Sequence, residues 1–507
     1  MYIRLTLGTY AESLKQSSYF YLNNNSREEL IFFAKIKKMT AMKPIIANNL
    51  ITWKAIVEKH GIENISKYAS FKRFIEVYSG DEVFRKEFSY GDLSRLNKIN
   101  VDIDFSILND LITFTLNKPK EKEAEVLTSF RQYMLDCSQN RVHSIKHNIS
   151  TEYELWRLAQ YNRGNFIFNK HTNKQIVHAP LAVELTKGCT VGCWFCGISA
   201  DSFDGASLFG SNQELYVHIL NSIKELAGDL NQLSFLYWAT DPLDNPDYEN
   251  YLTTFAKVFG YFPQTTTAQG PKYIERIRRI INLTNNDSYC TVNRLSILSK
   301  AGLYKVFKEF TPFELATTLL VMQQPSSVTK KADAGRASSE YINNLKEKEE
   351  KIDVDQSYQQ STIACVSGFK VNLVTKKIQL MSPTISSEKY PDGFIVYGEK
   401  DLSLDYSPIN FFHDYIRSLS EAKLVISHGI KFRPDPNKCF EAKLESNMTI
   451  LHISGKLDFE IFQKLELDLY TFSELSSELE ALGHSSFYIS NKLDHYILQG
   501  IISYDSI

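Results

Sequence analysis

Cys189-Thr190-Val191-Gly192-Cys193-Trp194-Phe195-Cys196 crowds three cysteines into one short stretch of a 507-residue chain. An iron–sulfur cubane normally takes four cysteine thiolates. Three thiolates on one loop can ligate three of its irons, which leaves the fourth iron open for a substrate or cofactor. The apolar Trp194 and Phe195 would shield the cluster from water, which tunes its reduction potential. The spacing therefore predicts Cys189, Cys193 and Cys196 as ligands of a [4Fe–4S] cluster.

Zinc is the main alternative for closely spaced cysteines. Zinc sites usually pair CxxC units and need a fourth ligand in similar clustering. The chain has no second CxxC and no histidine pair near these cysteines. Its seven cysteines are an odd number, with three of them in one stretch. This pattern favours a metal site in a reducing compartment over a disulfide framework.

Charge and hydropathy exclude several classes of function. The 57 Lys and Arg residues balance 59 Asp and Glu residues, which argues against nucleic-acid binding through a basic surface. No stretch reaches the roughly 18 apolar residues that a membrane span needs. Residues 1–20 contain no uninterrupted apolar run, so no signal peptide is expected. We therefore expect a cytoplasmic protein that binds neither nucleic acid nor membranes.

Changes in the hydrophobic pattern along the sequence suggest three domains. Residues 1–174 are predicted to form an α-helical domain; Phe71, Phe74, Ile75 and Tyr78, for example, share one helix face. Residues 175–423 alternate strand-like runs with helical stretches, which predicts an α/β domain with a parallel sheet. Residues 424–507 are predicted to form a small module with a hairpin and three short helices. The strand-like runs of the central domain are 182–185, 233–238, 290–295 and 317–322.

Two helix starts are predicted from capping signals. Ser79 and Glu82 have the spacing of a capping box before Val83, so a new helix is expected there. Thr151 and Glu154 give a similar signal.

The CxxxCxxC spacing, with an aromatic residue just before the last cysteine, resembles the radical S-adenosylmethionine (SAM) superfamily over roughly residues 175–415. The resemblance implies a partial (βα)6 TIM-like barrel whose site lies at the carboxyl ends of the strands. It also implies that SAM chelates the open iron through its amino and carboxylate groups. One-electron reduction then cleaves SAM to a 5′-deoxyadenosyl radical, which abstracts a hydrogen atom.

Further positions match the superfamily's SAM-binding segments. The stretch 238–242 occupies the place of a Gly-Gly-Glu-Pro motif that holds the SAM amino group, although Asp241 stands where glutamate is usual. The ends of the fourth and fifth strands usually hold the SAM carboxylate and ribose. For each single residue a structural role remains open. The SAM contacts implied by the resemblance are Trp238, Thr240, Asp241, Arg294, Ser296 and Gln323.

More of the chain, about residues 70–500, is similar to the proteusin-type peptide epimerases, which mature ribosomally made peptides. One similar segment is a Ser-Gly-Asp-x-x-Phe-Arg core within residues 74–88. Thr384 is a departure from the family pattern, because many of these epimerases carry cysteine at that position. The other similar segments are Asp241-Pro242-Leu243-Asp244-Asn245-Pro246-Asp247-Tyr248, Ala334-Gly335-Arg336-Ala337, Cys365-Val366-Ser367-Gly368-Phe369, Ser382-Pro383 and Tyr390-Pro391-Asp392-Gly393-Phe394.

The likeness implies an enzyme that converts L-residues of a precursor peptide into D-residues. A radical takes the Cα hydrogen from one face, and a donor on the opposite face returns one. A thiol suits this role, and the resemblance implies Cys365 as the catalytic donor. Cys137 and Cys290 are interpreted as small buried hydrophobic residues, and Cys439 belongs to the terminal module. These four cysteines are far apart in sequence, so no auxiliary cluster is expected.

The terminal module resembles the winged-helix-like leader-recognition domains of peptide-maturation enzymes, which add a leader peptide as a strand to a sheet edge. A structural cap or a dimerisation element is the alternative. The implied partners are a precursor peptide, through its leader and core, and an electron donor of the flavodoxin or ferredoxin type. Two rival functions remain: another radical SAM maturase that crosslinks, excises or methylates residues, and an inactive peptide-binding scaffold that does not cleave SAM.

Overall fold

The computed structural model describes residues 52–115 except 93 and 102, 125–139, 149–285, 292–338 except 325, 328, 330 and 331, and 362–505. These residues all belong to one compact unit, Ile45–Ile507. They form a mixed α/β structure in which no sheet closes into a barrel. The interpretation of Cys290 lies outside the described residues.

Helices make up the described chain before residue 175, as predicted. Ser94–Lys98 and Phe105–Ile107 add short 3-10 turns. The helices are α1 (Trp53–His60), α2 (Ile62–Gly80), α3 (Glu82–Ser89), α4 (Leu108–Thr115), α5 (Glu125–Gln139), α6 (Thr151–Ile167) and α7 (Lys170–Asn173).

Helix α2 is buried on more than the one apolar face that its sequence indicates. Arg73 is buried, and its guanidinium donates to the carbonyls of Ile99 and Phe310. Glu76 is also buried; it pairs with Lys72 at 2.7 Å and accepts a hydrogen bond from a backbone N–H of the sheet. Buried charges are tolerated only when they are paired or hydrogen-bonded, as here.

The predicted capping box at Ser79 and Glu82 is wrong. Asp81 is the cap of α3, and its carboxylate accepts from Val83 N at 3.0 Å. Ser79 still belongs to α2, where its hydroxyl donates to the carbonyl of Ile75. The second predicted start is displaced by one residue, because Ser150 occupies the cap position of α6.

The central segment alternates strands and helices as predicted. Its strands are β1 (Ala179–Glu184), β2 (Thr266–Thr267), β3 (Asn293–Ile297), β4 (Thr318–Met322), β5 (Val366–Asn372), β6 (Lys377–Pro383) and β7 (Phe394–Asp401). Its helices are α8 (Phe209–Ala227), α9 (Tyr248–Phe259), α10 (Ile274–Asn285), α11 (Lys300–Glu309) and α12 (Pro408–Ser418), with 3-10 turns at Gly228–Leu233, Pro242–Asp244 and Gly335–Ala337.

The strands of two neighbouring sheets run parallel to one another in the centre of the molecule. β5 pairs with β1 in parallel, and β2, β3 and β4 pair in parallel. Single bridges from Phe235 to Ala182 and to Gln264 connect the two sets. The second predicted strand, 233–238, is thus reduced to one bridging residue. Asn231 favours a turn just before it, because its side chain donates to the carbonyls of Ile223 and Gly228.

The sheet stays open at both ends within the described residues. Beyond β5 it continues with β6 and β7, both antiparallel. At the other end, Glu76 of α2 accepts the hydrogen bond of Leu320 N, which lies in β4. A helix that covers a sheet edge in this way takes the place of a further strand.

The largest hydrophobic core lies between the helices and one face of this sheet. Leu181 and Val183 of β1, Leu295 of β3 and Phe369 of β5 belong to it. Because side chains alternate along a strand, Glu184, Arg294 and Lys370 lie on the other face, which we call the open face.

The last segment has the predicted hairpin and three helices. Its strands are β8 (Lys423–Ile426), β9 (Lys431–Pro434), β10 (Glu441–Glu445), β11 (Ile450–Ser454), β12 (Tyr470–Thr471) and β13 (Ile502–Tyr504), and its helices are α13 (Lys456–Leu467), α14 (Phe472–Ala481) and α15 (Ser486–Leu498). The sheet orders are β11-β10-β9 and β12-β8-β13. Its own hydrophobic core includes Phe166, Ile167 and Phe168 from the end of α6. The boundaries at 174 and 423 stay predictions.

No helix in the described part of the chain is long and apolar enough to cross a membrane.

Candidate metal centre

The cysteine loop follows β1 and is fixed at its start by a glycine. Gly188 has φ +71°, and a Cβ there would lie 2.1 Å from the carbonyl oxygen of Ser202. Glycine is the residue that fits both constraints. Cys189 N then donates to the carbonyl of Asp201 at 2.9 Å. The first cysteine is therefore held against the returning chain.

The three cysteine thiols are partly buried and lie close enough to influence one another. Burial raises the pKa of Cys189 to about 11. Burial, followed by the charges of Cys189 and Cys196, raises the pKa of Cys193 to about 12. Backbone N–H groups also point at the sulfurs, from Val191 to Cys189 Sγ at 3.5 Å and from Ala200 to Cys196 Sγ at 3.3 Å.

This donor set fits an iron–sulfur cluster. Thiols that repel one another as thiolates need a strongly cationic ligand to become deprotonated together. Among the described residues, no three His, Cys, Asp or Glu side chains are placed to share one metal ion. A cubane does not require that placement, because each of its thiolates binds a different iron.

Arg336 holds the cysteine loop from one side. Its side chain donates to the carbonyls of Cys193 at 3.1 Å and Ala200 at 2.9 Å, and its backbone N–H donates to the carbonyl of Cys196. Gly335, at φ +53°, lies so close that a Cβ there would be 2.6 Å from the carbonyl carbon of Gly197. The segment 334–337 therefore packs directly on the cysteine loop, a role that its sequence did not reveal.

Asp244 holds the loop from the other side. Its carboxylate accepts from Thr190 N at 2.9 Å and from Thr190 Oγ1 at 2.5 Å. It also accepts from Gln269 Nε2 at 2.6 Å, two residues after β2. Thr190 lies between the first two cysteines, so Asp244 connects the loop to the carboxyl end of the neighbouring strand.

Asp241, a predicted SAM contact, already has several protein partners. Its carboxylate accepts from Thr267 Oγ1 and Ala268 N, both at 2.7 Å, and from Leu243 N at 3.0 Å. Burial raises its pKa, and these hydrogen bonds oppose that shift. Its visible role is to hold the turn after residue 240 against β2.

The other predicted SAM contacts are spread over the open face. Arg294 and Ser296 are partly exposed there and alternate with buried residues of β3. Gln323, directly after β4, and Thr240 are partly exposed too. Trp238 is buried, with its ring 5.9 Å from that of Phe394.

Two polar residues of the open face were missed from the sequence. Glu184 is buried and accepts from Ala239 N at 2.9 Å and from Asn372 Nδ2 at 3.0 Å. Lys370 Nζ lies 3.6 Å from the same carboxylate. An acidic residue inside an apolar strand run was the signal that could have revealed this pair.

Cys365 lies at the amino end of β5, and its carbonyl accepts from Ala179 N at 2.7 Å. β1 and β5 are parallel, so the cysteine loop, which follows β1, starts at the end of the sheet opposite Cys365. The chain after the last cysteine nevertheless returns towards Cys365. A Cβ on Gly197 would lie 2.9 Å from the side chain of Ile363. Ile198 and Cys365 both pack on one apolar cluster, the Trp238 cluster, whose buried members are Ala179, Ala182, Phe235, Trp238, Ala364, Val366 and Met381.

Cys137 and Cys439, the two other described cysteines, lie outside this site. Cys137 is buried in the main core, as interpreted from its helical pattern. Cys439 is exposed in the terminal segment.

An uncharacterized protein of Sinorhizobium fredii, y4wI, is 30% identical to the chain over 475 residues, which cover 89% of the chain and 90% of y4wI. The chain belongs to the y4wI family. No family model matches the chain, and no solved structure matches it.

The likeness within the y4wI family extends beyond the cysteine loop. The part of the chain outside the match is shorter than any of the segments 1–174, 175–423 and 424–507. Each of these segments therefore overlaps the match, so the family shares at least part of the terminal hairpin-and-helix segment as well as the centre.

Proposed function

We propose that this chain is a radical SAM enzyme with a [4Fe–4S] cluster on Cys189, Cys193 and Cys196. The observation that carries the proposal is the cysteine loop, with three thiols close together and held from two sides by Asp244 and Arg336. Such a cluster supplies, with bound SAM, a carbon radical that abstracts hydrogen atoms. The parallel strands that flank the loop are compatible with a partial (βα) barrel, which is open by definition.

The open face would hold SAM beside the cluster. Glu184 and Asp241 fix the turn between residues 239 and 244 through backbone N–H groups, which keeps its carbonyls in place for an amino group. Arg294, Ser296 and Gln323 are partly exposed polar groups that can contact a carboxylate and a ribose.

We further propose that the enzyme inverts residues of a ribosomally made peptide, with Cys365 as hydrogen donor. The support is its position on the Trp238 cluster, which also packs against Ile198, two residues after the last cysteine of the loop. In the donating step, the Cys365 S–H bond breaks and a Cα–H bond forms on the peptide face opposite the abstracted hydrogen. The resulting sulfur radical takes up one electron and one proton, with the electron delivered by a flavodoxin- or ferredoxin-type protein.

The terminal segment would recognise the precursor as a winged-helix-like module. β11 is an edge strand of its sheet among the described strands, so its outer side can pair with an added strand. Ile450 and Leu451 expose apolar side chains along it. Exposed apolar groups around a sheet edge are typical of a peptide-docking surface.

Replacing Cys189, Cys193 and Cys196 together by alanine tests the cluster. The anaerobically prepared protein should be brown with about four irons per chain. The triple variant should lose the colour and the cleavage of SAM, whereas Cys439→Ala, a matched change at an exposed cysteine, should keep both. A triple variant that stays brown and cleaves SAM would contradict the proposal.

Product mass separates epimerisation from other maturation chemistry. After co-expression in ordinary water, an inverted peptide keeps its mass, whereas crosslinking, excision and methylation each change it. Chiral analysis of the hydrolysed peptide should then show D-residues. A mass change without D-residues would favour the rival maturases.

A further inference from the structure

The Ser-Gly-Asp-x-x-Phe-Arg segment, residues 79–85, joins α2 to α3 and packs on the carboxyl end of β4. A Cβ on Gly80 would lie 2.6 Å from Met322 Sδ and 2.9 Å from Gln324 Nε2. Gln324 Nε2 also donates to the carbonyl of Gly80. Glycine is therefore the residue that lets the end of α2 approach the sheet so closely.

Arg85 connects this junction to the chain that follows β4. Its Nη1 donates to two carbonyls near the end of α2, at 2.8 and 3.0 Å, and its Nη2 donates to the carbonyl of Ser326 at 2.8 Å. Ser326 lies in a turn in which Ser327 N donates to the carbonyl of Gln324 at 3.0 Å. A guanidinium suits this role because its fork of donors binds several carbonyls at once, which a lysine cannot reproduce.

Asp81 fixes the junction from within. Its carboxylate is buried, and besides capping α3 it accepts from the hydroxyl of Tyr304 at 2.9 Å. Tyr304 belongs to α11, which starts just after β3. The junction is thus held against the chain that follows β3 as well as against the chain that follows β4.

Gln323, a proposed SAM contact, lies between the two side chains that meet the junction. Met322 and Gln324 are buried on the side of α2, so alternation along the strand places Gln323 on the open face. Gln323 N donates to the carbonyl of Ile297 at 2.8 Å, which continues the pairing of β3 with β4. The direction of the Gln323 side chain therefore depends on the junction, which holds the residues on both sides of it.

We propose that Gly80 and Arg85 are positioning residues for SAM, which act through Gln323. Both act from the helix side of the sheet, whereas the SAM contact lies on the open face. The helices before residue 175 thereby shape the site from the opposite side of the sheet. This inference rests on the proposed SAM site, and it adds a reason for the Ser-Gly-Asp-x-x-Phe-Arg sequence, because its glycine and its arginine hold the same strand end.

Arg85→Gln tests the proposal with two measurements on the iron-loaded chain. The dissociation constant of SAM, measured by calorimetry with the cluster oxidised, should rise at least threefold. The rate of SAM cleavage at saturation, with dithionite as reductant, should stay within twofold of the parent, because a contact made equally before and during the reaction affects binding alone. Arg85→Lys should keep one carbonyl contact and give an intermediate affinity. Arg279→Gln, at an arginine that is 67% exposed in α10, is the matched control and should bind SAM like the parent chain.

A double-variant cycle shows whether Arg85 acts through Gln323. Gln323→Ala should itself weaken the binding of SAM. In that background Arg85→Gln should cause no further loss, whereas independent effects would multiply. Gly80→Ala should weaken binding as Arg85→Gln does, because alanine would displace the Gln324 amide from the carbonyl that it binds. Gly210→Ala, where a Cβ has no atom within 4 Å, should leave the affinity unchanged.

The outcomes separate this inference from the proposed function. A parent chain that does not bind SAM would contradict both. If the parent binds SAM, equal affinity of Arg85→Gln, no effect of Gln323→Ala, or losses that multiply in the double variant would overturn this inference alone. Thermal unfolding and iron content show whether each variant is intact. Should Arg85→Gln unfold or lose iron, Gly80→Ala decides in its place, because it displaces only the ends of two flexible side chains.

Discussion

Cys365 is the residue on which the epimerase proposal depends most. A thiol S–H exchanges with solvent and a Cα–H does not, so in heavy water each inverted residue should gain one deuterium. Cys365→Ala should keep the iron and the cleavage of SAM but should abolish D-residues, because the Cα radical lacks its donor. Peptide mass spectrometry with chiral analysis measures both outcomes.

Serine at position 365 is the sharper control for the donor. It preserves size and polarity, but its O–H bond is too strong to give a hydrogen atom to a stabilised carbon radical. Cys365→Ser should therefore match the alanine variant. Deuterated D-residues formed at the normal rate in either variant would exclude Cys365 as the donor and would make Cys290 the next cysteine to test, because Cys137 is buried in the main core.

His178 should make the folded state sensitive to acid. Its ring is buried between Ser367 Oγ at 2.7 Å and Asn173 Oδ1 at 3.0 Å. Burial, followed by the charges of Arg157 and Arg163, lowers its pKa to about 3 from an ordinary 6.5. Protonation therefore favours the unfolded chain, so this residue lowers the free energy of unfolding as pH falls from about 6.5 towards 3, by up to about 1.4 kcal/mol per pH unit.

The variant His178→Asn measures that contribution. Asparagine tolerates the left-handed backbone at this position, where φ is 51°. Urea unfolding at pH 7.5, 6.5, 5.5 and 4.5 should show a smaller loss of stability with acid in the variant than in the parent chain. His452→Asn, at an exposed position, is the matched control. Equal slopes for the parent and His178→Asn would disprove the role of this ring.

The closeness of the three cysteines could be predicted from sequence because their spacing is local, whereas the residues that hold their loop could not. Asp244 reaches Thr190 across 54 positions, and Arg336 reaches Cys193 across 143 positions. Both residues belong to segments quoted for their family likeness, yet nothing in those segments specifies a partner. The tertiary fold determines which backbone carbonyls and N–H groups each side chain meets.

Single elements show the same division between local and long-range causes. β3, β4 and the terminal hairpin lie on the apolar runs from which they are predicted. The run 233–238 has a strand pattern too, but it pairs only through Phe235 because the side chain of Asn231 stabilises a turn before it. The sequence also did not predict that α2 is buried on more than one face, since this burial follows from the position of β4.

The segment 334–337 should be essential for loading the cluster. At Gly335, an alanine would meet the carbonyl carbon of Gly197 at 2.6 Å in a left-handed conformation. Left-handed strain costs about 1–2 kcal/mol and overpacking about 1–3 kcal/mol. Gly335→Ala should therefore displace the cysteine loop and lower the iron content per chain.

Gly210→Ala is the matched control for that change. Gly210 lies in α8, and a Cβ there has no atom within 4 Å. Alanine should leave the iron content unchanged and should stabilise the helix by up to about 1 kcal/mol. The iron content per chain and the thermal unfolding of both variants should be measured. Equal iron content in Gly335→Ala and the parent chain would show that the contact between Gly335 and Gly197 does not position the cysteine loop.

On the scale of the whole molecule, the terminal segment is not an independent appendage. Its hydrophobic core includes Phe166 and Phe168 of the helical segment, and Asn162 Nδ2 donates to the carbonyl of Leu498. Deletion of residues 424–507 would expose that apolar surface, so a loss of function could follow from misfolding alone. Precursor recognition is therefore better tested by a surface change.

Ile450→Lys is that change. Ile450 is 52% exposed on the edge strand β11, so lysine disturbs no core packing but places a charge where an added strand would lie. The affinity for the full precursor, measured by fluorescence anisotropy, should fall at least tenfold, while SAM cleavage without peptide should persist because the cysteine loop is untouched. Leu404→Lys, at a position 47% exposed outside the terminal segment, should bind the precursor like the parent chain. If both variants bind equally well, the peptide is recognised elsewhere, and the helices before residue 175 become the next surface to test.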